Sequence, residues 1–371
     1  MFRYNAIYNT LKEEITSKVY EYGMLIPSEN QLSQTFNAER ATIRKALELL
    51  VADGLIEKLP GIGSKVTYIP REEKKQNDPL VNPSVIGFFI ANDKDNEKKI
   101  TEPYYADLFY FFERECRLRN CQLIYITIDQ NSDMNSILSN YNFLAVIFVT
   151  KMDREIVSNV KQAGIPVILV NEKMENTISI FCDHAMGAEL VLKHLYEKGH
   201  KRIALITGPD GFLASDAKLP ACYSAIYKYG LEVRPEWIGK GDWTFNTGYS
   251  EIMRIFPERS KANAENCPTA VYSFNDMMAL GVMKALNNLG YSVPEDVSVA
   301  GHDNMTQLKY TEPDLTTVDG STEYLASVVV DSAYNNVFKR FTKGCTIAIP
   351  VKLIERKTVR DLNKRKNGHL K

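Results

Sequence analysis

The amino-acid sequence has no Cys-x-x-Cys pair, no histidine cluster at metal-ligand spacing and no uninterrupted apolar run of about eighteen residues. The missing apolar run excludes a helix that spans a membrane, and the N-terminal Met-Phe-Arg-Tyr-Asn lacks the apolar core of an export signal. We therefore expect a cytoplasmic protein without membrane contact, in which the 6 cysteines are reduced packing residues. We expect no metal ligands and no cofactor.

Two common enzyme motifs are also missing. The chain has no glycine-rich phosphate loop followed by Lys-Ser/Thr and no nucleophile elbow, so we expect no catalytic residues. Its 45 Lys and Arg nearly balance 46 Asp and Glu, which indicates no particular charged partner. Hydrophobic residues make up 44% of the 371 positions, an ordinary share for a globular protein. This length suits a small domain joined to a larger, two-lobed body.

Residues 24–68 carry helix-start signals, an apolar stripe and a glycine-rich turn in close succession. Ser28 and Gln31 have the spacing of a capping box, which predicts a short helix with Ser28 as its N-cap. A second helix is predicted from about Arg40. Its apolar stripe consists of Ile43, Leu47 and Leu50, flanked by Ala46 and Leu49. Two strands, 55–59 and 65–68, follow around Gly61-Ile62-Gly63, which predicts a winged helix-turn-helix.

The polar residues of this segment have the chemistry of a DNA-reading surface. An arginine fork matches O6 and N7 of guanine, and one such pair discriminates between bases by about 1–3 kcal/mol. The same residue types also occur in solvated helices and ordinary hairpin turns, so the indication lies in their order. The candidate DNA-binding residues are Ser28, Glu29, Arg40, Thr42, Arg44, Lys45, Gly61, Gly63 and Ser64.

Charge gives this head only modest support. Residues 1–70 contain 8 Lys and Arg and 8 Asp and Glu, whereas residues 40–66 contain 5 basic and 3 acidic side chains. A local positive face predicts weak non-specific DNA affinity. We therefore expect two heads in a homodimer to collect enough phosphate contacts.

The first seventy residues, roughly, resemble the gluconate-repressor (GntR) superfamily of bacterial transcription factors. The resemblance is carried by Pro27-Ser28-Glu29 with Leu32, by Arg40, Thr42 and Arg44, by Asp53-Gly54-Leu55-Ile56 and by Gly61-x-Gly63-Ser64. It implies that Glu29, Arg40, Thr42 and Arg44 face DNA and that the wing glycines approach the minor groove. Glu39 departs from the family, in which a small hydroxyl residue usually caps the recognition helix; a carboxylate there can still act as the cap.

Beyond residue 84, apolar runs of strand length alternate with helical periods. Strands are predicted at 86–91, 123–128, 144–149, 167–170, 203–206, 270–273 and 297–300, with helices near 105–118, 153–163, 186–198, 217–229, 247–256 and 276–289. The predicted fold class is α/β, with an N-terminal winged helix-turn-helix (α+β) followed by two doubly wound parallel-sheet lobes. The predicted divisions are a DNA-binding domain at 1–69, a linker at 70–84, an effector-binding and dimerisation domain at 85–358 and a basic tail at 359–371, which is expected to be solvated or frayed from Arg360.

The body resembles the lactose-repressor/periplasmic sugar-binding family from about residue 84 to 358. The resemblance is carried by Pro103-Tyr104-Tyr105-Ala106, Gly199-His200-x-Arg202-Ile203-Ala204, Asn275-Asp276-x-Met278-Ala279 and Val293-Pro294-Glu295-Asp296-Val297, among others. It implies a ligand cleft between two lobes, at the carboxyl ends of the strands.

The resemblance also implies a set of effector residues. Tyr104 would wall the cleft, Trp243 would stack on a ring, and Asp183, Asn275 and Asp303 would bond ligand hydroxyls or order the pocket, which suits a sugar. Three of them have a structural alternative, since Asn275 could cap a helix, Trp243 could be core and Asp183 could close a turn. The arginine that usually clamps the effector is missing. Lys218 could take its place if the alignment shifts by one residue, although an ammonium is not a bidentate fork, and Asp216 could also enter the pocket, so the replacement stays open.

Together these features predict a sugar-responsive transcriptional regulator, a repressor, with an architecture similar to that of arabinose-repressor-type proteins. Its expected partners are double-stranded operator DNA, a sugar effector and a second copy of the chain. The same regulator could instead bind a nucleobase or nucleoside, since Trp243 can stack on either. A sugar-binding transport protein and a sugar-converting enzyme are further alternatives, although neither explains the head.

Overall fold

The computed structural model describes residues 3–17, 19–20, 22–59, 63–67, 84–91, 99–129, 131–261, 266–335 and 344–366. The chain divides into two compact units, Met1–Asn82 and Pro83–Lys371. The predicted linker lies outside the described residues except for Ser84, so its boundaries remain a prediction. None of the described helices combines the length and apolar character that a membrane crossing needs.

The N-terminal unit is a three-helix head with a hairpin. Its elements are α1 (Arg3–Thr16), α2 (Glu29–Thr35), α3 (Arg40–Ala52), β1 (Ile56–Leu59) and β2 (Gly63–Val66). β1 and β2 pair antiparallel, and Leu25 forms a bridge with Lys65 beside them. The three helices bury one apolar face each, as the predicted stripe requires. The head core includes Ile7, Leu11, Ile15, Leu32, Ile43, Ala46, Leu47 and Leu50.

The predicted capping box is present at the start of α2. The Ser28 hydroxyl accepts the Gln31 backbone N–H at 3.4 Å, and Gln31 Oε1 accepts the Ser28 backbone N–H at 2.9 Å. We expect Ser28→Ala to lower the free energy of unfolding of the head by about 1 kcal/mol. The Gln31 backbone N–H loses its acceptor, and the reciprocal pairing of the two N–H donors at the helix start is broken. Ser28→Asp, which retains a capping acceptor, is the matched control. Denaturant titration of both variants tests this, and equal stability of the two would contradict it.

The C-terminal unit contains two parallel sheets. Its strands are β3 (Val85–Ala91), β4 (Gln122–Ile128), β5 (Phe143–Phe148), β6 (Val167–Val170), β7 (Ile178–Cys182), β8 (Ile203–Thr207), β9 (Ile238–Lys240), β10 (Ala270–Ser273), β11 (Ser298–Ala300), β12 (Thr317–Asp319), β13 (Cys345–Ile349) and β14 (Lys352–Ile354). One sheet has the order β13-β7-β6-β5-β3-β4 and the other β11-β10-β8-β9, and all pairs in both are parallel. β12 and β14 form a separate antiparallel pair.

Helices connect these strands as the alternating pattern predicts. They are α4 (Pro103–Leu118), α5 (Met134–Ser139), α6 (Arg154–Gln162), α7 (His184–Glu197), α8 (Leu213–Tyr229), α9 (Phe245–Ile255), α10 (Asp276–Asn288), α11 (Thr322–Tyr334) and α12 (Asn363–Lys366). All seven predicted strands and all six predicted helices of the body are present, with ends shifted by a few residues. The fold class is confirmed: two parallel-sheet lobes follow a winged helix-turn-helix head.

The first residues of the tail that was expected to be solvated from Arg360 are hydrogen-bonded to the body. The backbone N–H of Arg360 donates to Ser298 Oγ at 2.9 Å. The Leu362 N–H donates to the Lys198 carbonyl at 2.8 Å, at the end of α7. The segment therefore satisfies helix-terminal carbonyls that would otherwise be unpaired. Residues 367–371 of the predicted tail lie outside the described residues.

Candidate functional site

In the head, Arg40 and Arg44 stand one helical turn apart on the exposed side of α3. The Arg44 guanidinium contacts the Glu29 carboxylate of α2, with Nη2 to Oε2 at 3.0 Å and Nε to Oε1 at 3.4 Å. This hydrogen bond from Arg44 lowers the pKa of Glu29. The Lys58 ammonium of β1 approaches the same carboxylate at 4.0 Å. Glu29 of α2 therefore contacts α3 through Arg44 and β1 through Lys58.

Other predicted DNA-binding residues have different surroundings. Lys45 is exposed, but its ammonium lies 4.4 Å from the centroid of the Tyr4 ring of α1. Glu39 occupies the N-cap position of α3 without a side-chain cap hydrogen bond, so the expected carboxylate cap is not formed. Thr42 is half-buried on α3, and Gly63 and Ser64 begin β2. Gly61 lies outside the described residues.

We expect Glu29→Gln to reduce DNA sequence discrimination. Glu29 holds the Arg44 side chain in one orientation, so in the variant Arg44 should be less well oriented toward the bases. The Glu29 charge also repels phosphates, so the variant should bind non-specific DNA more tightly. Because the ion pair is exposed, the ratio of operator to scrambled-DNA affinity should fall by only about three- to fivefold. Fluorescence anisotropy with both duplexes measures this ratio. An unchanged ratio would show that Glu29 does not orient Arg44.

In the body, four predicted effector residues follow the carboxyl ends of parallel strands. Asp183 follows β7, Trp243 comes three residues after β9, Asn275 comes two after β10, and Asp303 comes three after β11. The carboxyl ends of parallel strands are the usual ligand-binding edge of such sheets. The fold therefore gathers residues that are distant in the sequence.

Backbone strain marks two of these positions. Trp243 has φ of 75° and Asp303 has φ of 112°, both in the region that disfavours side chains, and Asn304 follows with φ of 57°. Residues in such conformations are unfavourable by about 1–3 kcal/mol each and cluster at ligand sites. The surrounding structure holds Asp303 in place, since its N–H donates to the Val318 carbonyl at 2.9 Å.

The Trp243 ring lies against the end of β8. A Cβ atom on Gly208 would come within 2.1 Å of the indole, so the close approach requires glycine there. The Asn275 amide donates to the Trp243 carbonyl at 2.9 Å, while its oxygen accepts the Met278 N–H at 2.9 Å and caps α10. The capping alternative for Asn275 is thus present, together with a contact that holds Trp243.

Lys218 is the most unusual residue of the site, because a lysine is almost never fully buried without a charged partner. Its side chain lies 1% exposed on α8, its ammonium donates to the Phe274 carbonyl at 2.7 Å, and it lies 5.8 Å from the Trp243 ring. Burial lowers the pKa of Lys218 to about 8, against the opposing charge of Asp303. Burial likewise raises the pKa of the Asp303 carboxyl, and the Lys218 charge opposes that shift.

Tyr104 is at the start of α4, where its hydroxyl accepts the Asn171 side-chain amide at 2.5 Å. Burial raises the pKa of Tyr104 well above its usual value. Tyr104 and Asp303 both line a groove of about 1070 Å³ that also includes Asp107, Arg114 and Arg356. The other five predicted effector residues are not among the residues that line this groove.

Asp216 and Asp183 fit the predicted effector site less well than the other residues. Asp216 is exposed and accepts the Gly211 N–H at 3.2 Å, whereas Lys218, two residues further along α8, is buried. The structure thus places these two side chains on different sides of the helix. Asp183 is the N-cap of α7, and its Oδ1 accepts the Met186 N–H at 2.9 Å.

Two residues near the site were not predicted. Asn171 links the start of α4 to the end of β7. Its amide nitrogen donates to the Tyr104 hydroxyl, and its oxygen accepts the Cys182 N–H at 3.3 Å. Its φ of 53° is a signal of local strain that no sequence pattern reveals. His184, directly after Asp183, is buried within α7, and both of its ring nitrogens lack a hydrogen-bond partner among the described residues.

Known families match both units of this chain. Residues 3–66 match the profile described as "Bacterial regulatory proteins, gntR family", and residues 192–359 match that of the "Periplasmic binding protein-like domain". A relative from Serratia proteamaculans (strain 568), "HTH-type transcriptional repressor PurR", is 27% identical over 273 residues, which cover 70% of this chain and 77% of the relative.

Solved structures share the fold of the body. The lac repressor dimer bound to operator and the anti-inducer ONPF has a TM-score of 0.62 and 22% identity, covering 79% of this chain and 100% of that chain. A complex of the transcriptional regulator CelR with cellobiose has a TM-score of 0.63 and 20% identity, covering 90% and 100% respectively.

The head geometry and these matches define the class: the protein is a DNA-binding transcriptional regulator, and its body is similar to that of PurR repressors. Within that class it joins a gntR-family DNA-binding domain at the N-terminus to a LacI-like, periplasmic-binding-protein-like sensor domain. The resemblances inferred from the sequence are thereby confirmed for both units.

Proposed function

We propose that the chain is a cytoplasmic repressor of carbohydrate-utilisation genes, controlled by a neutral sugar or related polyol that binds in the cleft of the body. The head reads the operator through Arg40, Arg44 and the wing, and the effector contacts Tyr104, Lys218, Trp243 and Asp303, with Asp183 and Asn275 ordering the pocket. Two heads of a homodimer would engage half-sites separated by about 34–36 Å or a multiple of it.

The single observation that supports this effector class best is the buried Lys218, whose ammonium lies 5.8 Å from the Trp243 ring and within electrostatic range of Asp303. The ammonium is already opposed by the buried Asp303 and Asp276 carboxyls, whose pKa values burial raises, so no anionic ligand is needed to neutralise it. Hydroxyl groups both donate and accept, and the Trp243 face can cover the C–H side of a sugar ring. The cellobiose complex of the CelR regulator, which shares this fold, adds support.

A nucleobase or nucleoside is the second candidate. Trp243 can stack on an aromatic base as well as on a sugar, and the PurR repressors are among the relatives of this chain. A free base, however, carries no vicinal hydroxyls for the Lys218 ammonium and the Asp303 carboxyl, and a nucleoside offers them only on its ribose. We therefore rank the sugar first.

Calorimetry with the full-length protein separates the two classes. The panel contains D-ribose, L-arabinose, D-xylose and cellobiose on one side and hypoxanthine, guanine and adenosine on the other. We expect one or more sugars to bind and to weaken the affinity for DNA from upstream of the gene by about 5- to 150-fold, the usual range of allosteric coupling. Binding of a nucleobase alone would overturn the sugar assignment.

A further inference from the structure

Several buried side-chain atoms of the described body have no hydrogen-bond partner, and one residue stands out among them. Among the described residues, His184 is the only one with two such atoms, since neither Nδ1 nor Nε2 has a hydrogen-bond partner while the residue is 7% exposed. A buried polar atom without a partner is unfavourable, because it loses its hydrogen bonds to water and gains none in the protein. Native structures retain such atoms mainly where function, a ligand or an ordered water requires them.

The position of His184 relates it to the effector site. It is the first residue of α7, directly after Asp183 at the carboxyl end of β7. Its ring centroid lies 6.0 Å from that of His302, which immediately precedes Asp303. The Lys218 ammonium also lies close enough to influence the pKa of both histidines.

His302 is better satisfied than His184, although its Nε2 also lacks a hydrogen-bond partner among the described residues. Its Nδ1 contacts the Tyr272 hydroxyl at 3.1 Å, and its ring lies against Gly187 of α7, where a Cβ atom would come within 2.5 Å. His302 therefore packs against α7 with one ring nitrogen paired. The two nitrogens of His184 have no equivalent contacts among the described residues.

Another unpaired polar atom lies on α8, the helix that packs against α7. Ser215 is on α8, one turn before Lys218, and its buried hydroxyl has no partner among the described residues. A Cβ on Gly208 would come within 2.5 Å of Ser215 Oγ and within 2.1 Å of the Trp243 ring, so the hydroxyl is close to the indole. Unpaired polar atoms thus occur on two adjacent helices, α7, which begins directly after Asp183, and α8, which carries Lys218.

We infer that His184 is an effector-contacting residue that reads a hydroxyl group of a neutral polyol, acting together with Lys218, Asp303 and Ser215. This inference rests on the proposed function and assigns the polar chemistry of that same site.

The chemistry of the groups limits the ligand. Burial, and then the Lys218 charge, lowers the pKa of His184 well below its usual value, so the ring is neutral at neutral pH. A neutral imidazole offers one donor and one acceptor, and the Lys218 ammonium has three N–H groups, of which one donates to Phe274. Hydroxyls can donate to the imidazole acceptor and to Asp303 while they accept from Lys218. A phosphate or carboxylate accepts only, and it would leave the imidazole acceptor unpaired.

Two substitutions test the role of His184. In calorimetry of the full-length protein with D-ribose, L-arabinose and cellobiose, we expect His184→Leu to weaken the best-binding sugar by at least tenfold. His184→Asn, which keeps one donor and one acceptor, should recover part of that loss. Because leucine removes two unpaired buried polar atoms, the sugar-free His184→Leu protein should unfold at the same or a higher temperature than the wild type.

His200 provides the matched control. It is also a buried histidine, but Nδ1 contacts Thr269 Oγ1 at 3.0 Å and Nε2 contacts the Arg360 carbonyl at 3.1 Å. His200→Asn should lower the unfolding temperature and leave sugar affinity within about twofold of the wild type.

Unchanged sugar affinity in His184→Leu overturns the inference and leaves the sugar-responsive function intact. The same holds if His184→Leu destabilises the protein as His200→Asn does without a loss of sugar affinity. A wild-type protein that binds hypoxanthine and none of the sugars overturns both.

Discussion

Replacing Arg40 and Arg44 together with alanine should weaken operator binding by between about 30-fold and 20,000-fold, because each arginine–guanine pair contributes about 1–3 kcal/mol and about 1.4 kcal/mol is tenfold in affinity. Arg40 and Arg44 are exposed and lie one turn apart on α3, so the substitutions leave the buried stripe of the head intact. Anisotropy titration of a labelled operator duplex at fixed salt measures the effect.

The control for this variant is Arg154→Ala, which removes an exposed arginine of α6 in the body. It should leave operator affinity within about twofold of the wild type, since α6 carries none of the predicted DNA-binding residues and an isolated exposed charge contributes little at physiological salt. If the double variant binds the operator as tightly as Arg154→Ala does, α3 is not the recognition helix.

Lys218→Met should weaken the effector response and preserve DNA binding. A hydrogen bond from a charged group contributes about 1.5–3 kcal/mol, so loss of the ammonium should weaken the effector by about 10- to 150-fold. Methionine has a similar length and suits the buried, apolar path of the side chain. The readout is the sugar concentration that releases half of the bound operator.

Lys228→Met, on the same helix, is the matched control. Lys228 is exposed and its ammonium pairs with Glu189 at 2.6 Å, so its loss should leave both sugar and DNA affinity nearly unchanged. A Lys218→Met protein that responds to sugar at wild-type concentrations would remove Lys218 from the effector site. It would also remove the charge-balance argument for a neutral ligand.

Local signals were predictable from the sequence because they act over a few residues. The Ser28–Gln31 capping box and the apolar stripe of α3 depend on spacings of three and four, and both are present. In contrast, β7 was missed. Its run contains the polar Ser179, and its partner strand β13 is far along the chain, so no local pattern marks it.

The site was only partly predictable, because its chemistry depends on distant contacts. The sequence places Lys218 on a helix, and a helical lysine is usually solvated, whereas here it is fully buried beside Phe274. The contact between Glu29 and Arg44 joins two helices, and the unpaired nitrogens of His184 appear only in three dimensions. Family resemblance supplied the strand-end residues; it did not supply these interactions.

The most direct test measures operator affinity of the full-length wild-type protein with and without a saturating sugar, in parallel with calorimetry that proves the sugar is bound. We predict that the bound sugar weakens operator affinity by about 5- to 150-fold. A sugar that occupies the protein yet leaves the operator affinity unchanged would contradict coupling between the sensor and the head.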